Sequence, residues 1–215
     1  MMYTETPDPG EHPHVIHKGL ALVRALGVSD ARVTFPLTVP VTEAAARVVG
    51  EAGAAGYALL NPGAAWPNKR WPPERFGALA TLMRDRLGLR SFVLWGPGED
   101  SLASDVVLAS HGAASVAPAT TITDLASIAR GARVMISGDT GPLHIAAAVG
   151  VPIVALFGPT RAERNGPWMD ADITLSRYEG CRCHYERRCR RPSPCIDEIR
   201  IDEVWLAVER RVAGG

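Results

Sequence analysis

The sequence predicts an α/β fold, a parallel sheet with helices on both faces, and three observations carry that prediction. From Tyr57 onward, short apolar runs alternate with amphipathic stretches of about 10–15 residues, the rhythm of βαβ units. The runs YALLN, FVLWG, VMISG and IVALFG contain no charged residue, as strands covered on both faces require. Glycine, proline and small polar residues follow these runs, so the loops that could hold a ligand gather beyond the carboxyl ends of the strands.

The elements follow in order. His12 to Leu26 (HPHVIHKGLALVRAL) has helical apolar spacing at Val15, Leu22 and Leu26. Val33 to Pro40 reads as extended, and Thr42 to Gly53 as an alanine-rich helix. YALLN (57–61) precedes a helix from about Pro73, and FVLWG (92–96) one from about Glu99. ASVA (114–117) leads to a helix near Thr123, VMISG (134–138) to one near Gly141, and IVALFG (153–158) to a loop. The segment IDEVWLAVERRV (201–212) is a last amphipathic helix, with Ile201, Val204, Leu206, Val208 and Val212 among its charges.

Composition narrows the class. Apolar residues make up 47% of the chain and charged residues 21%, the balance of a globular protein able to bury a core. Lysine plus arginine equal aspartate plus glutamate at 23 each, so no global field argues for nucleic acid, and any basic site is local. No apolar run has the length of a membrane span, and the first 20 residues lack the hydrophobic core of a signal peptide. The expectation is a cytoplasmic protein.

Four loops could carry chemistry. In SGDTGPLH (137–144), two glycines bracket Asp139 and Thr140 between a strand and a helix, so amides at the helix start can face an anion. Thr140 could donate to a phosphate and Asp139 accept from hydroxyls; an Asp N-cap with a tight turn is the competing reading. In NPGAAWPNKRWPPERF (61–76), a loop of little bulk is followed by Lys69 and Arg70, which can grip a diphosphate or simply be solvated at a helix start. In LWGPGEDSLA, Glu99 stands where a carboxylate can meet ribose hydroxyls or favour the helix dipole. FGPT (157–160) adds a glycine-proline turn.

Together, NPGAAWPNKRWPPERFGALA, WGPGE, ISGDTGPLHIAAAVGVPIVALFGPT and NGPW resemble the nucleotide-sugar-binding half of glycosyltransferase family 9, the ADP-heptose:lipopolysaccharide heptosyltransferases. The resemblance runs from about Leu59 to the C-terminus. It implies a Rossmann-like domain, the C-terminal half of a GT-B glycosyltransferase that inverts the anomeric carbon without a required metal. It also implies Lys69 on the donor's diphosphate, Glu99 on the nucleoside, Thr140 and Gly141 on the phosphates, and Asp139 on the sugar hydroxyls. His144 would join the same pocket or else pack the helix. The implied donor is ADP-heptose, the acceptor a lipid-linked glycan of lipopolysaccharide or another envelope polymer, and the location cytoplasmic or peripheral at the inner face of the membrane.

The family's general base is an aspartate in the N-terminal domain, and residues 1–56 are expected to be only a remnant of that domain, with 57–215 forming the donor domain. Asp8, Glu11 and Asp30 carry no motif that marks them as the base, so the catalytic residue is expected in an N-terminal half, which a separate gene could encode. A non-catalytic nucleotide-binding fragment is the alternative function.

The four cysteines lie in GCRCHYERRCRRPSPC. Cys181, Cys183, Cys189 and Cys195 are soft ligands whose clustering points to a structural zinc or iron more than to disulfides, with His184 as a substitute ligand and free thiols as the alternative. Similar clusters occur in some members of the family, a few of which carry iron. Arginines at 182, 187, 188, 190 and 191 would lower the thiol pKa values, and they form the chain's one strong basic patch, which either meets an anionic lipid-sugar or is a solvated loop. A third reading makes this cysteine knuckle a metal-binding interaction module.

Overall fold

The computed structural model describes residues 6–29 and 32–214; Asp30 therefore lies outside the described residues. Two helices, α1 (Val15–Ala25) and α2 (Glu43–Ala52), come before the first strand, β1 (Tyr57–Asn61). There follow α3 (Pro73–Leu87), β2 (Arg90–Val93), α4 (Asp100–Ala109), β3 (Ala114–Val116), α5 (Ile122–Arg130), β4 (Val134–Gly138) and α6 (Gly141–Ala148). The remaining elements are β5 (Ile153–Phe157), α7 (Ala162–Asn165), β6 (Ile173–Ser176) and α8 (Ile201–Ala213). The strands form one parallel sheet in the order β3-β2-β1-β4-β5-β6, that of a Rossmann-like fold.

Alternation along each strand divides the core in two. Ala58 and Leu60, Val134 and Ile136, and Val154 and Leu156 face one layer, where Phe76, Leu79 and Met83 of α3, Val106 of α4 and Val204 and Val208 of α8 cover them. Tyr57 and Leu59, Met135, and Ile153, Ala155 and Phe157 face the opposite layer, against Val48 of α2, Ile128 of α5 and Leu143 and Ala146 of α6. Each fully buried Leu, Ile or Phe contributes about 1.5–3 kcal/mol. Helix boundaries follow their caps. Thr42 accepts from Ala45 N at the start of α2, and Thr121 with Asp124 forms a capping box that begins α5 just ahead of the expected Thr123.

One strand lies elsewhere than expected, and another was not expected. The strand expected over 92–96 occupies Arg90–Val93, because Glu99 captures the N–H of Gly96 and turns the chain out of the sheet. Val33–Pro40, read as extended, lies in neither a helix nor the sheet. Edge strand β6 had no sequence signal beyond ITLS; Asp172 just before it accepts from Ile153 N at 2.9 Å and from Arg211 of α8 at 3.0 Å, which ties α8 to the sheet edge.

The N-terminal part is attached differently. No residue of α1 is buried. His14 caps it by accepting from Ile16 N at 3.2 Å while its Nε2 donates to Gly166 O at 3.1 Å, and the rings of His14 and His17 each lie 5.3 Å from that of Trp168.

Candidate functional site

The order β2-β1-β4 brings three of the predicted loops together at the carboxyl ends of adjacent strands. They surround a cavity of about 270 Å³ whose lining includes Asn61, Gly63, Lys69, Glu99, Asp139, Thr140 and Gly141. A second cavity of about 260 Å³, with Trp95, Thr120, Thr121 and Leu125 in its wall, shares Asn61, Glu99 and Pro142 with the first. Larger cavities of about 750 and 470 Å³ lie elsewhere, and neither joins strand ends to the start of α6.

The ion pair at the cavity's floor is tight. Lys69 Nζ lies 2.6 Å from Asp139 Oδ2, with side chains only 14% and 5% exposed, and Thr160 donates to the same oxygen at 2.8 Å. A buried pair of this kind holds both charges in fixed positions, since losing either partner strands the other. Lys69 also sits 4.5 Å from the centre of the Trp66 ring. Gly138 permits this approach: a Cβ there would come within 2.9 Å of Lys69 O. The geometry adds to the expected separate roles of Lys69 and Asp139, because the two act on each other before any ligand does.

The start of α6 is open. Its N-cap is Thr140, not Asp139, and no side chain caps it, so the first amides are left to a ligand. The Asp N-cap reading is thus corrected: the carboxylate is engaged by Lys69 and Thr160. Thr140 Oγ1 accepts from Asn61 Nδ2 at 2.9 Å, and the same amide donates to Ser137 at 2.9 Å. At Gly141 an added Cβ would meet open space, consistent with an unobstructed approach to the helix start.

Glu99 closes the adjoining side. Its Oε2 accepts from Gly96 N at 3.0 Å, its other oxygen is 4.0 Å from Arg70, and Arg70 Nε donates to Ala64 O at 2.8 Å. An added Cβ at Gly63 would fall 2.1 Å from Glu99 Oε2 and push that carboxylate aside. His144 lies outside this lining. It borders a neighbouring cavity of about 310 Å³ with His14, Phe35 and Trp168, while its Nε2 stands 3.9 Å from Asp139 Oδ1. The His144 side chain is 48% exposed, and its partial burial lowers the pKa while Asp139 pulls the other way.

Open helix amides and a lysine favour an anion, whereas Asp139 and Glu99 disfavour a bare one and accept from hydroxyls. The arrangement therefore suits a ligand with both phosphate and polyhydroxylated parts. Five predicted residues, Lys69, Glu99, Asp139, Thr140 and Gly141, line one cavity, and His144 borders it through Asp139. Sequence reasoning missed Asn61 and Thr160 as polar braces; an asparagine ending an apolar strand and the threonine of FGPT were the available signals.

The cysteines form a separate cluster. Cys181, Cys183 and Cys195 are buried against one another with Cys189 packed on them, and the sulfurs of Cys183 and Cys189 are 2.7 Å apart. Burial and the neighbouring thiols push the Cys195 pKa up to about 12, and burial also raises that of Cys189. This overturns the expected lowering by arginines: Arg191 pulls Cys189 downward, but burial outweighs it. His184 stacks on Tyr178 at 4.0 Å, and its Nε2 lies 2.8 Å from Tyr178 O. The donor set is chemically suited to a soft cation, yet as they stand the described residues contain no group of three or more His, Cys, Asp or Glu positioned to hold a metal.

A model of glycosyltransferase family 9 (heptosyltransferase) matches residues 2–193. Lipopolysaccharide heptosyltransferase 1 of Pseudomonas aeruginosa is 30% identical over 135 residues, 63% of this chain and 38% of that protein. Among solved structures, the family 9 glycosyl transferase of Veillonella parvula superposes with a TM-score of 0.77 at 24% identity, over 98% of this chain and 63% of that one. The E. coli heptosyltransferase WaaC with ADP gives 0.70 at 20% identity, over 97% and 60%. At these identities the structural likeness establishes the fold. The chain spans less than half the length of the curated relatives it matches here.

Proposed function

Because this chain belongs to glycosyltransferase family 9, we propose that its strand-end cavity binds a nucleotide-diphosphate sugar, ADP-heptose, for inverting transfer to a lipid-linked glycan of lipopolysaccharide or a related envelope polymer. One observation carries the reading: the uncapped start of α6, the Lys69–Asp139 pair and Glu99 share one cavity. The diphosphate would face the amides of α6 and Lys69, and the ribose would reach Glu99 with the base toward Trp95 and Leu125. Asp139 would accept from the sugar's hydroxyls.

The chemistry follows from where charge develops. As the glycosidic bond to the leaving diphosphate breaks, negative charge grows on the phosphate oxygens and positive charge on the anomeric carbon. Preorganised amides and Lys69 would stabilise the first, with no metal required by this reading. The Asp139 carboxylate, held by Lys69 and Thr160, would keep Lys69 in place and not drift with the substrate. A general base must take the acceptor proton from the opposite face, and we place it in the N-terminal domain of the family's architecture. Residues 1–56 would be the end of that domain and its linker, and 57–215 the donor domain.

A second reading concerns the cysteines. Four thiols packed together, three of them buried, favour a structural zinc or iron that would hold the loop over 181–195. Metal content after purification in reducing buffer, against Cys189→Ser, tests it, and a metal-free wild type removes it.

For the donor reading, titration calorimetry with ADP and ADP-heptose is the test. Saturable binding of both at one site, each displacing the other, supports it. No binding of either at millimolar concentration would leave the non-catalytic alternative without its nucleotide as well.

A further inference from the structure

The arginines between Cys181 and Cys195 divide into two sets. Arg190 pairs with Glu186 at 3.2 Å and Arg191 with Glu198. Arg182, Arg187 and Arg188 are exposed and make no ion pair or hydrogen bond among the described residues. Beside them is Tyr185, 44% exposed and held at φ +58°. This backbone conformation is unusual for a tyrosine, and it is fixed by a hydrogen bond from Tyr185 N to Pro159 O at 3.0 Å.

The loop is firmly mounted. Its base is the buried sulfur cluster, and Asn68 Nδ2 donates to Glu186 O at 2.8 Å. Asn68 adjoins Lys69 and Pro159 adjoins Thr160, so the loop is fastened to the same two turns that build the strand-end cavity. Three free guanidinium groups and an exposed tyrosine thus project from a braced support next to that cavity.

We propose that this tip is a docking surface for an anionic lipid bilayer, seating the strand-end cavity at the membrane face. Charge complementarity carries the assignment. The chain as a whole is neutral, so attraction to a negatively charged surface must come from a local excess, and unpaired arginines are where the excess is. An exposed tyrosine flanked by arginines matches the polar and apolar layering of a headgroup region. A single-stranded nucleic acid stacks successive bases on several aromatic faces, whereas of the two tyrosines here Tyr185 is exposed and Tyr178 is covered by His184 at 4.0 Å and approached by Arg161 at 5.2 Å. The proposal does not depend on the identity of the donor.

Co-sedimentation with vesicles tests it, using phosphatidylcholine alone and phosphatidylcholine with phosphatidylglycerol. The wild type should bind only the anionic vesicles and be released on going from about 0.1 M to about 0.5 M salt. Each free arginine is worth roughly fivefold in partitioning, so Arg182→Gln, Arg187→Gln and Arg188→Gln together should lose about a hundredfold. A control with Arg47→Gln and Arg84→Gln, arginines that pair elsewhere on the surface, should bind as the wild type. Equal binding to neutral vesicles, an unchanged triple variant, or tighter binding of an oligonucleotide lost in the same variant would overturn it. A shared melting temperature for all three proteins guards against misfolding.

Discussion

The strand-end cavity and the cysteine loop adjoin, and both mix charge with burial, but in opposite ways. In the cavity the charges are inside: Lys69 and Asp139 are paired at 2.6 Å and largely buried, and neighbouring loops hold them. In the loop the sulfurs are inside and the charges outside, with Arg182, Arg187 and Arg188 free in solvent. Buried paired charge is preorganised and therefore selective, whereas exposed unpaired charge costs little to rearrange and reads only the sign of a surface. The cavity is built to recognise a molecule, the loop to meet a field.

The sharpest way to break this contrast is to remove one half of the inner pair. Lys69→Met leaves Asp139 buried with the Thr160 hydroxyl bonded to it and His144 at 3.9 Å, and denaturant melts should show a loss of about 3 kcal/mol. Lys69→Met with Asp139→Asn should recover most of it, since no charge is then stranded. Next in size is Cys195→Ser, which buries a hydroxyl among sulfurs and should cost about 1–3 kcal/mol. The outer charges should behave otherwise: the triple arginine variant should change the melting free energy by no more than about 0.5 kcal/mol.

The pH dependence separates the regions further. Cys195 has a folded-state pKa of about 12, above the ordinary thiol value of 9.0, so the folded state favours the protonated thiol. Its contribution is fully present below pH 9 and is lost as pH rises toward 12; in reducing, metal-free buffer, Cys195→Ser should flatten that alkaline decline. His144 has the reverse sign. Its folded pKa is below 6.5, so stability tied to the neutral ring is present above that value and falls as pH drops through the folded pKa. His144→Gln should remove this smallest effect from an acid titration of the melting temperature.

Much of this was legible in the sequence, and the failures share a physical reason. Lys69, Glu99, Asp139, Thr140 and Gly141 were readable because each follows an apolar run in a glycine-containing loop, and parallel strands deliver such loops to one end. The partners Asn61 and Thr160 were not, because they matter only once β1, β4 and β5 are neighbours, a nonlocal fact. Strand β6 was invisible for the same reason: four residues gain strand character only from the edge of β5. The thiol pKa values went the wrong way because counting nearby arginines does not reveal which way the guanidinium groups point or how deeply the sulfurs are packed.

The central claim is that the inner charges serve a nucleotide diphosphate, and thermal stabilisation by ADP, UDP and GDP tests it most directly. A nucleotide at about 100 times its Kd should add nearly 3 kcal/mol, a clear rise in melting temperature. The account predicts that rise with ADP for the wild type, and its absence in the folded Lys69→Met, Asp139→Asn double variant. No rise with any of the three nucleotides, or an equal rise in the double variant, would contradict it.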